Sequence, residues 1–229
     1  MKWKKIGVLG GLGPQATIDF YSKVLYYCQT KVKPHANEGY PEMIIYNCNF
    51  PPFSEKNQNK VNPKLIKAAK SLEKAGADFI VIPSITPHIF YDSIKKSVSI
   101  PIINIIEEVV NIVKNKAKVV ELLATTMTIK NNLFQSKFKK YKIKILTLNK
   151  NDQNQLEMII FGVMEGKINQ QKREIVIKMI NKLKKSGASL IILGCTELPV
   201  LLGGLSKRKD FLDTLDIAAK IAVEKAMKT

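Results

Sequence analysis

The sequence predicts an α/β protein of two similar lobes, each a mostly parallel sheet flanked by helices, with the active-site cleft between them. Short apolar runs bounded by glycine or proline alternate with helix-period segments, the pattern of parallel strands covered on both faces. One stretch repeats: residues 72–84 can be laid on residues 183–195 without a gap, 111 positions further on. Each copy reads as a helix end, a Gly-Ala turn, a buried strand and a polar residue at the strand's carboxyl end. A fainter echo relates residues 6–11 to residues 120–125.

In chain order, strands are expected at residues 5–9, 43–47, 79–83, 119–123, 143–148 and 190–193. Helices are expected at 14–31, 62–74, 103–116, 129–141, 153–164 and 174–185. Residues 210–228 read as a closing amphipathic helix, with Phe211, Leu215, Ala218, Ala222 and Ala226 on one stripe. The predicted organisation is a first lobe at 1–104 and a second at 105–208. Residues 209–229 would pack back on the first lobe.

The chain has 229 residues, is 45% hydrophobic and carries a formal net charge of +18. That length suffices for two small lobes. All but two of the 37 basic residues are lysine, Arg173 and Arg208 being the exceptions, and they are spread along the chain. A nucleic-acid binder concentrates charge and uses arginine for bidentate contacts, so this spread argues against nucleic acid as the partner. The charge still favours anionic metabolites. No apolar run approaches the roughly 18 residues of a membrane span. The start, Met1-Lys2-Trp3-Lys4-Lys5, lacks a signal peptide's longer apolar core, so a cytoplasmic protein is expected. Three scattered cysteines (Cys28, Cys48, Cys195) and two histidines (His35, His88) make neither a disulfide framework nor a metal centre.

Gly10-Gly11-Leu12-Gly13-Pro14 follows the first strand, where glycine N–H groups and a helix start can receive a carboxylate. Gly11, Gly13 and Ala16 loosely match a dinucleotide fingerprint. The second strand, however, ends in Tyr46-Asn47-Cys48-Asn49, with no acid for a ribose, so no nicotinamide is expected. Cys195, in Gly194-Cys195-Thr196-Glu197, sits where a strand turns into a helix, and backbone N–H groups there would lower a thiol's pKa. Ser84, in Ser84-Ile85-Thr86-Pro87-His88, holds the matching place in the first copy. Ligands in open α/β sheets bind beyond the strands' carboxyl ends, where both residues should sit. Cys28 lies in a helical pattern and is expected in the core. Cys48 alternates with Asn47 and Asn49, so if those asparagines face the cleft the thiol does not.

Together, residues 6–17, Ala75-Gly76-Ala77-Asp78, Pro83-Ser84-Ile85-Thr86-Pro87-His88, residues 100–104, Leu123-Ala124-Thr125 with Thr128, and residues 194–199 resemble the aspartate/glutamate racemase family. The likeness runs essentially end to end. It implies a homodimer and catalysis without pyridoxal phosphate or any other cofactor. Two cysteines would flank the substrate's α-carbon, one removing the α-proton and the other returning one to the opposite face. Carried over by position, Cys195 matches the second-lobe acid/base, and Thr125 and Thr196 match residues that hold the α-carboxylate. Thr86 and Thr128, with Gly11 and Asn47 at the first lobe's strand ends, complete the expected binding shell for an amino acid or small carboxylate.

The departures concern chemistry. Where the family's first-lobe motif begins with cysteine and asparagine, this chain has Ser84-Ile85. A serine hydroxyl cannot replace a thiol, whose reference pKa is about 8.5, as a base near neutrality. Phe53, in Pro51-Pro52-Phe53-Ser54, stands where aspartate-specific members carry an arginine, and Met164 where the family carries a lysine. Lost cations argue against strict aspartate specificity. The expected function is therefore an amino-acid racemase with one thiol; the alternative is an impaired racemase-fold protein that binds an amino acid or small carboxylate.

Overall fold

The computed structural model describes residues 3–51 and 53–227. Met1, Lys2, Pro52 and Lys228, each part of a segment read above, lie outside the described residues, as does Thr229. The chain divides into two compact units, Met1–Asn104 with Leu215–Thr229, and Ile105–Thr214.

In the first unit the elements run β1 (Ile6–Gly10), α1 (Pro14–Lys31), β2 (Met43–Asn47), α2 (Gln58–Lys74), β3 (Phe79–Val81) and α3 (Tyr91–Lys95). The strands form a parallel sheet in the order β2-β1-β3, with Ile6 opposite both Met43 and Phe79. Central β1 is buried throughout, as a strand covered on both faces must be. Helix α2 turns Val61, Leu65, Ala68, Ala69 and Leu72 inward, a spacing of three and four that makes one apolar face. That face meets Leu9, Ile80 and Ile82 of the sheet side.

The second unit contains α4 (Ile105–Val113), β4 (Val119–Leu123), α5 (Thr126–Lys130), α6 (Gln135–Lys139), β5 (Lys144–Leu146), α7 (Lys150–Met164), α8 (Gln170–Lys185), β6 (Leu190–Leu193), α9 (Glu197–Leu202) and β7 (Phe211–Asp213). Its parallel sheet has the order β5-β4-β6-β7. Helices α7 and α8 cover one face with Leu156, Ile159, Ile160, Val163, Val176, Met179, Ile180 and Leu183.

Helix α10 (Thr214–Ala226) belongs, from Leu215 on, to the first unit. Its buried alanines Ala218, Ala219, Ala222 and Ala226 permit close packing. Its bonds there include Tyr27 Oη donating to Asp216 at 2.7 Å, Lys4 N–H donating to Ala226 O at 2.9 Å, and an ion pair between Lys31 and Glu224.

Three expectations need correction. The closing helix does not begin at Asp210: Phe211 lies in β7, paired with Ile191, because the edge of β6 must satisfy its backbone groups. Residues 129–141 do not form one helix, since Asn132 takes φ 51° and divides α5 from α6. Helices α7 and α8 start earlier than expected because Asn149 and Asn169 cap them, each side chain accepting a backbone N–H at 2.9 Å. Among the described residues, no helix is long and apolar enough to cross a membrane.

Candidate functional site

The two Gly-Ala turns of the repeat are helix stops. Gly76 (φ 89°) and Gly187 (φ 99°) follow α2 and α8 in the left-handed region that side-chain-bearing residues avoid. Each turn drops the chain into a strand, β3 or β6, and fixes what emerges at the strand's far end. In the first unit that residue is Ser84, half-buried, three positions beyond β3. In the second it is Cys195, 6% exposed, two positions beyond β6.

Around Cys195 the second unit assembles a polar cluster in an otherwise apolar interior. Leu123 pairs with Leu193 across β4 and β6, and Gly194 N–H donates to Leu123 O at 2.8 Å. The strands therefore deliver Thr125 and Cys195 past the same sheet end. Thr125 Oγ1 accepts from Thr128 N–H at 3.3 Å, capping α5, and lies 3.1 Å from Thr128 Oγ1. Thr196 and Thr128 are both buried.

The neighbour of Cys195 is Glu197, the first residue of α9 and only 2% exposed. Cys195 Sγ donates to Glu197 Oε2 at 3.1 Å, and Thr196 Oγ1 donates to the same oxygen at 3.1 Å. Burial, then the Glu197 charge, pushes the Cys195 thiol well above its ordinary range. That reverses the lowered pKa expected from the strand-to-helix turn: desolvation and an adjacent carboxylate outweigh the backbone N–H groups. Burial likewise raises the Glu197 carboxyl, opposed by the bonds from Cys195 and Thr196. Its Oε1 has no hydrogen-bond partner among the described residues.

In the sequence, Glu197 carries one readable signal, an acid two positions after a thiol. Gln153 is buried on α7, donates through Nε2 to Ala124 O at 2.9 Å, and leaves Oε1 unpartnered among the described residues. Nothing but its polarity marked it. Glu157, half-buried on α7, accepts a bond from Thr126, and burial raises its carboxyl.

In the first unit, β1 extends into the glycine loop. Gly11 N–H donates to Thr17 Oγ1 at 3.0 Å and so is not directed at a ligand, as the anion-loop expectation had it. A Cβ at Gly11 would lie 2.1 Å from Cys48 O, so glycine there serves the close passage of two backbone segments. Asn47 and Asn49 are exposed with Cys48 half-buried between them, and Cys28 is in the core. Thr86 is buried in the 3₁₀ turn Thr86–Phe90. Ile85 is buried, and Phe53 packs on the apolar core beside Phe50, ring centroids 6.5 Å apart. Burial pulls His88 down to about 4, so it is a neutral imidazole at neutral pH.

A model of the Asp/Glu/Hydantoin racemase family matches residues 9–222. The chain belongs to that family. It is 28% identical over 220 residues to the broad specificity amino-acid racemase RacX of Bacillus subtilis, covering 95% of this chain and 96% of RacX. The crystal structure of PH1733, an aspartate racemase homologue from Pyrococcus horikoshii, superposes with a TM-score of 0.80 at 31% identity, covering both chains fully. The Picrophilus torridus aspartate racemase shares the fold, with a TM-score of 0.82 at 22% identity over 97% of this chain and 94% of that one. The two parallel sheets flanked by helices are thus the fold of this racemase family.

Proposed function

We propose that the protein is a cofactor-independent amino-acid racemase that acts by proton abstraction at the α-carbon, with Cys195 as the thiol acid/base and Ser84 in the place of a second thiol. The observation that carries this reading is a thiol held just past a strand end in a buried polar cluster, in a chain of this family. Proton abstraction at an α-carbon needs a base of matched pKa and hydrogen-bond donors for the carboxylate that receives the developing charge. Cys195 is the proposed base, with a thiol that burial and the Glu197 charge raise above its ordinary range. Thr125, Thr86 and Thr128 are the proposed donors, with Thr196, whose hydroxyl serves Glu197, and Asn47 completing the binding shell.

Ser84 makes the reaction asymmetric. A hydroxyl donates a proton to a carbanion far more readily than it abstracts one near neutrality. One enantiomer is therefore deprotonated by Cys195 and the other poorly. Phe53 and Met164 supply no cation for a side-chain carboxylate, which supports substrates with neutral or larger side chains, as does the similarity to a racemase described as of broad specificity. The proposed working assembly is a homodimer.

The test is solvent deuterium exchange at the α-carbon over a panel of L- and D-amino acids. Exchange confined to one enantiomer of an amino acid supports the reading. Binding detected by calorimetry without exchange for any member favours the second reading, an impaired racemase that retains a ligand. The serine at position 84 is the observation that keeps that alternative standing.

A further inference from the structure

A thiol pushed far above its ordinary range is scarcely ionised near neutrality, so little thiolate is at hand to act as a base, yet Cys195 is the proposed acid/base. Its immediate surroundings offer a resolution. Sγ and Glu197 Oε2 are 3.1 Å apart, both side chains are almost fully buried, and a single hydrogen joins them. We propose that Cys195 and Glu197 form one acid–base unit sharing one proton, with Glu197 holding the thiol's proton while the thiolate reacts. This rests on the reading of Cys195 as the acid/base.

The charge balance makes the transfer accessible. With Cys195 as thiol and Glu197 as carboxylate, the pair carries one negative charge. Moving the proton from Sγ to Oε2 gives thiolate and carboxylic acid, still with one negative charge. No new charge is created in the buried site, so the desolvation that opposes ionisation to solvent is largely avoided. The thiolate then forms an S–H bond with the α-hydrogen, and the C–H electron pair remains on the substrate. Reprotonation at carbon reverses these steps, and Oε2 returns its proton to sulfur.

The local contacts fit this role. Glu197 Oε1 has no partner among the described residues, a smaller penalty for a carboxylic acid than for a carboxylate. Thr196 Oγ1 fixes Oε2 beside the sulfur. Glu157 on α7 is the further carboxylate whose charge reaches the thiol, and it too opposes ionisation. From α7 and α8, the cluster that Cys195 joins is filled by Leu156, Ile159, Ile160, Val176, Met179 and Ile180, which lend no cation.

The test follows the rate of iodoacetamide alkylation of Cys195 against pH in the full chain, with peptide mass spectrometry separating it from Cys28 and Cys48. An internally shared proton makes the thiolate fraction independent of pH while the pair holds one charge. The wild type is therefore expected to show a nearly flat rate through neutrality. Glu197→Gln must lose its proton to solvent and should climb about tenfold per pH unit; Glu197→Asp should keep a flat segment. A wild-type rate that itself rises tenfold per pH unit, or a Glu197→Gln profile identical to the wild type, overturns the proposal. The wild-type profile decides the matter even if Glu197→Gln does not fold. A flat profile without α-proton exchange would support the Cys195–Glu197 unit and sink the racemase reading. Exchange with a steep profile would do the opposite.

Discussion

Strand β1 is flanked by β2 and β3, and β4 by β5 and β6, so the two units repeat one sheet order. Pairing makes the equivalence residue by residue: Ile80 lies opposite Gly7, and Ile191, 111 positions later, lies opposite Glu121. Beyond β3 the backbone makes a single parallel bridge, Ile80 to Ile102, with Ile80 N–H donating to Pro101 O at 2.8 Å. The same position in the second unit is the full strand β7, with Ile191 N–H donating to Asp210 O at 2.8 Å. Each of these edges runs into a helix assigned to the other unit, α4 to the second and, from Leu215, α10 to the first. The difference between the copies lies in the polar residues. Cys195 answers to Ser84, and a buried glutamate answers to a glycine. Backbone pairing and apolar packing constrain the shared frame; Ser84 and Cys195, beyond the strand ends, carry little of that load, whereas Gly7 and Glu121 differ inside the paired strands themselves.

The greatest change is expected at the reactive strand end. Cys195→Ser should make the two strand ends alike and remove α-proton exchange, a loss of at least about 10²–10⁴-fold, the usual contribution of a positioned acid/base. Retained exchange by mass spectrometry would remove Cys195 from the mechanism.

Glu121 offers the next. It is fully buried on β4, both carboxylate oxygens lack partners among the described residues, and burial raises it to about 8 against the opposing charge of Lys184. A carboxyl raised in the folded state keeps a proton that the unfolded chain, near pH 4.5, has already lost. Stability should therefore fall as pH rises from about 4.5 to about 8 and then level, by roughly 3–5 kcal/mol for this group. Glu121→Gln should flatten that part of the curve. Urea unfolding of both proteins at pH 5.5 and 9 measures it, and parallel pH dependences would place the Glu121 charge in contact with solvent or a cation.

Ser84→Cys makes the opposite change, giving both units a strand-end thiol. Exchange or racemisation with at least one amino acid should rise by roughly 10–100-fold. If it stays unchanged across a broad panel, Ile85 and Phe53 rather than the missing thiol limit the protein, and the ligand-binding reading gains.

The smallest effect concerns Gly7, the partner position of Glu121. A Cβ there would lie 2.8 Å from Ala77 Cβ and 3.1 Å from Phe79 O. Gly7→Ala should cost about 1–3 kcal/mol in chemical denaturation, the usual range for overpacking a core. A neutral result would mean that β1 and the chain entering β3 separate without penalty.

The α/β class, the duplicated helix–turn–strand unit, and the places of Ser84 and Cys195 at matching strand ends are legible in residue order alone. These are local matters: Gly76 and Gly187 stop helices through their own backbone freedom, and the apolar runs of β1, β4 and β6 announce burial on both faces. The rest depends on packing between distant segments. Phe211 follows a helical stripe in sequence and becomes a strand because β6 has an edge to pair. Thr17, not a ligand, takes the Gly11 N–H because α1 folds back over the loop. The state of the Cys195 thiol was likewise hidden. A strand-to-helix turn predicts a lowered pKa, but desolvation and the Glu197 carboxylate act through space, and their balance exists only once the interior has closed around them.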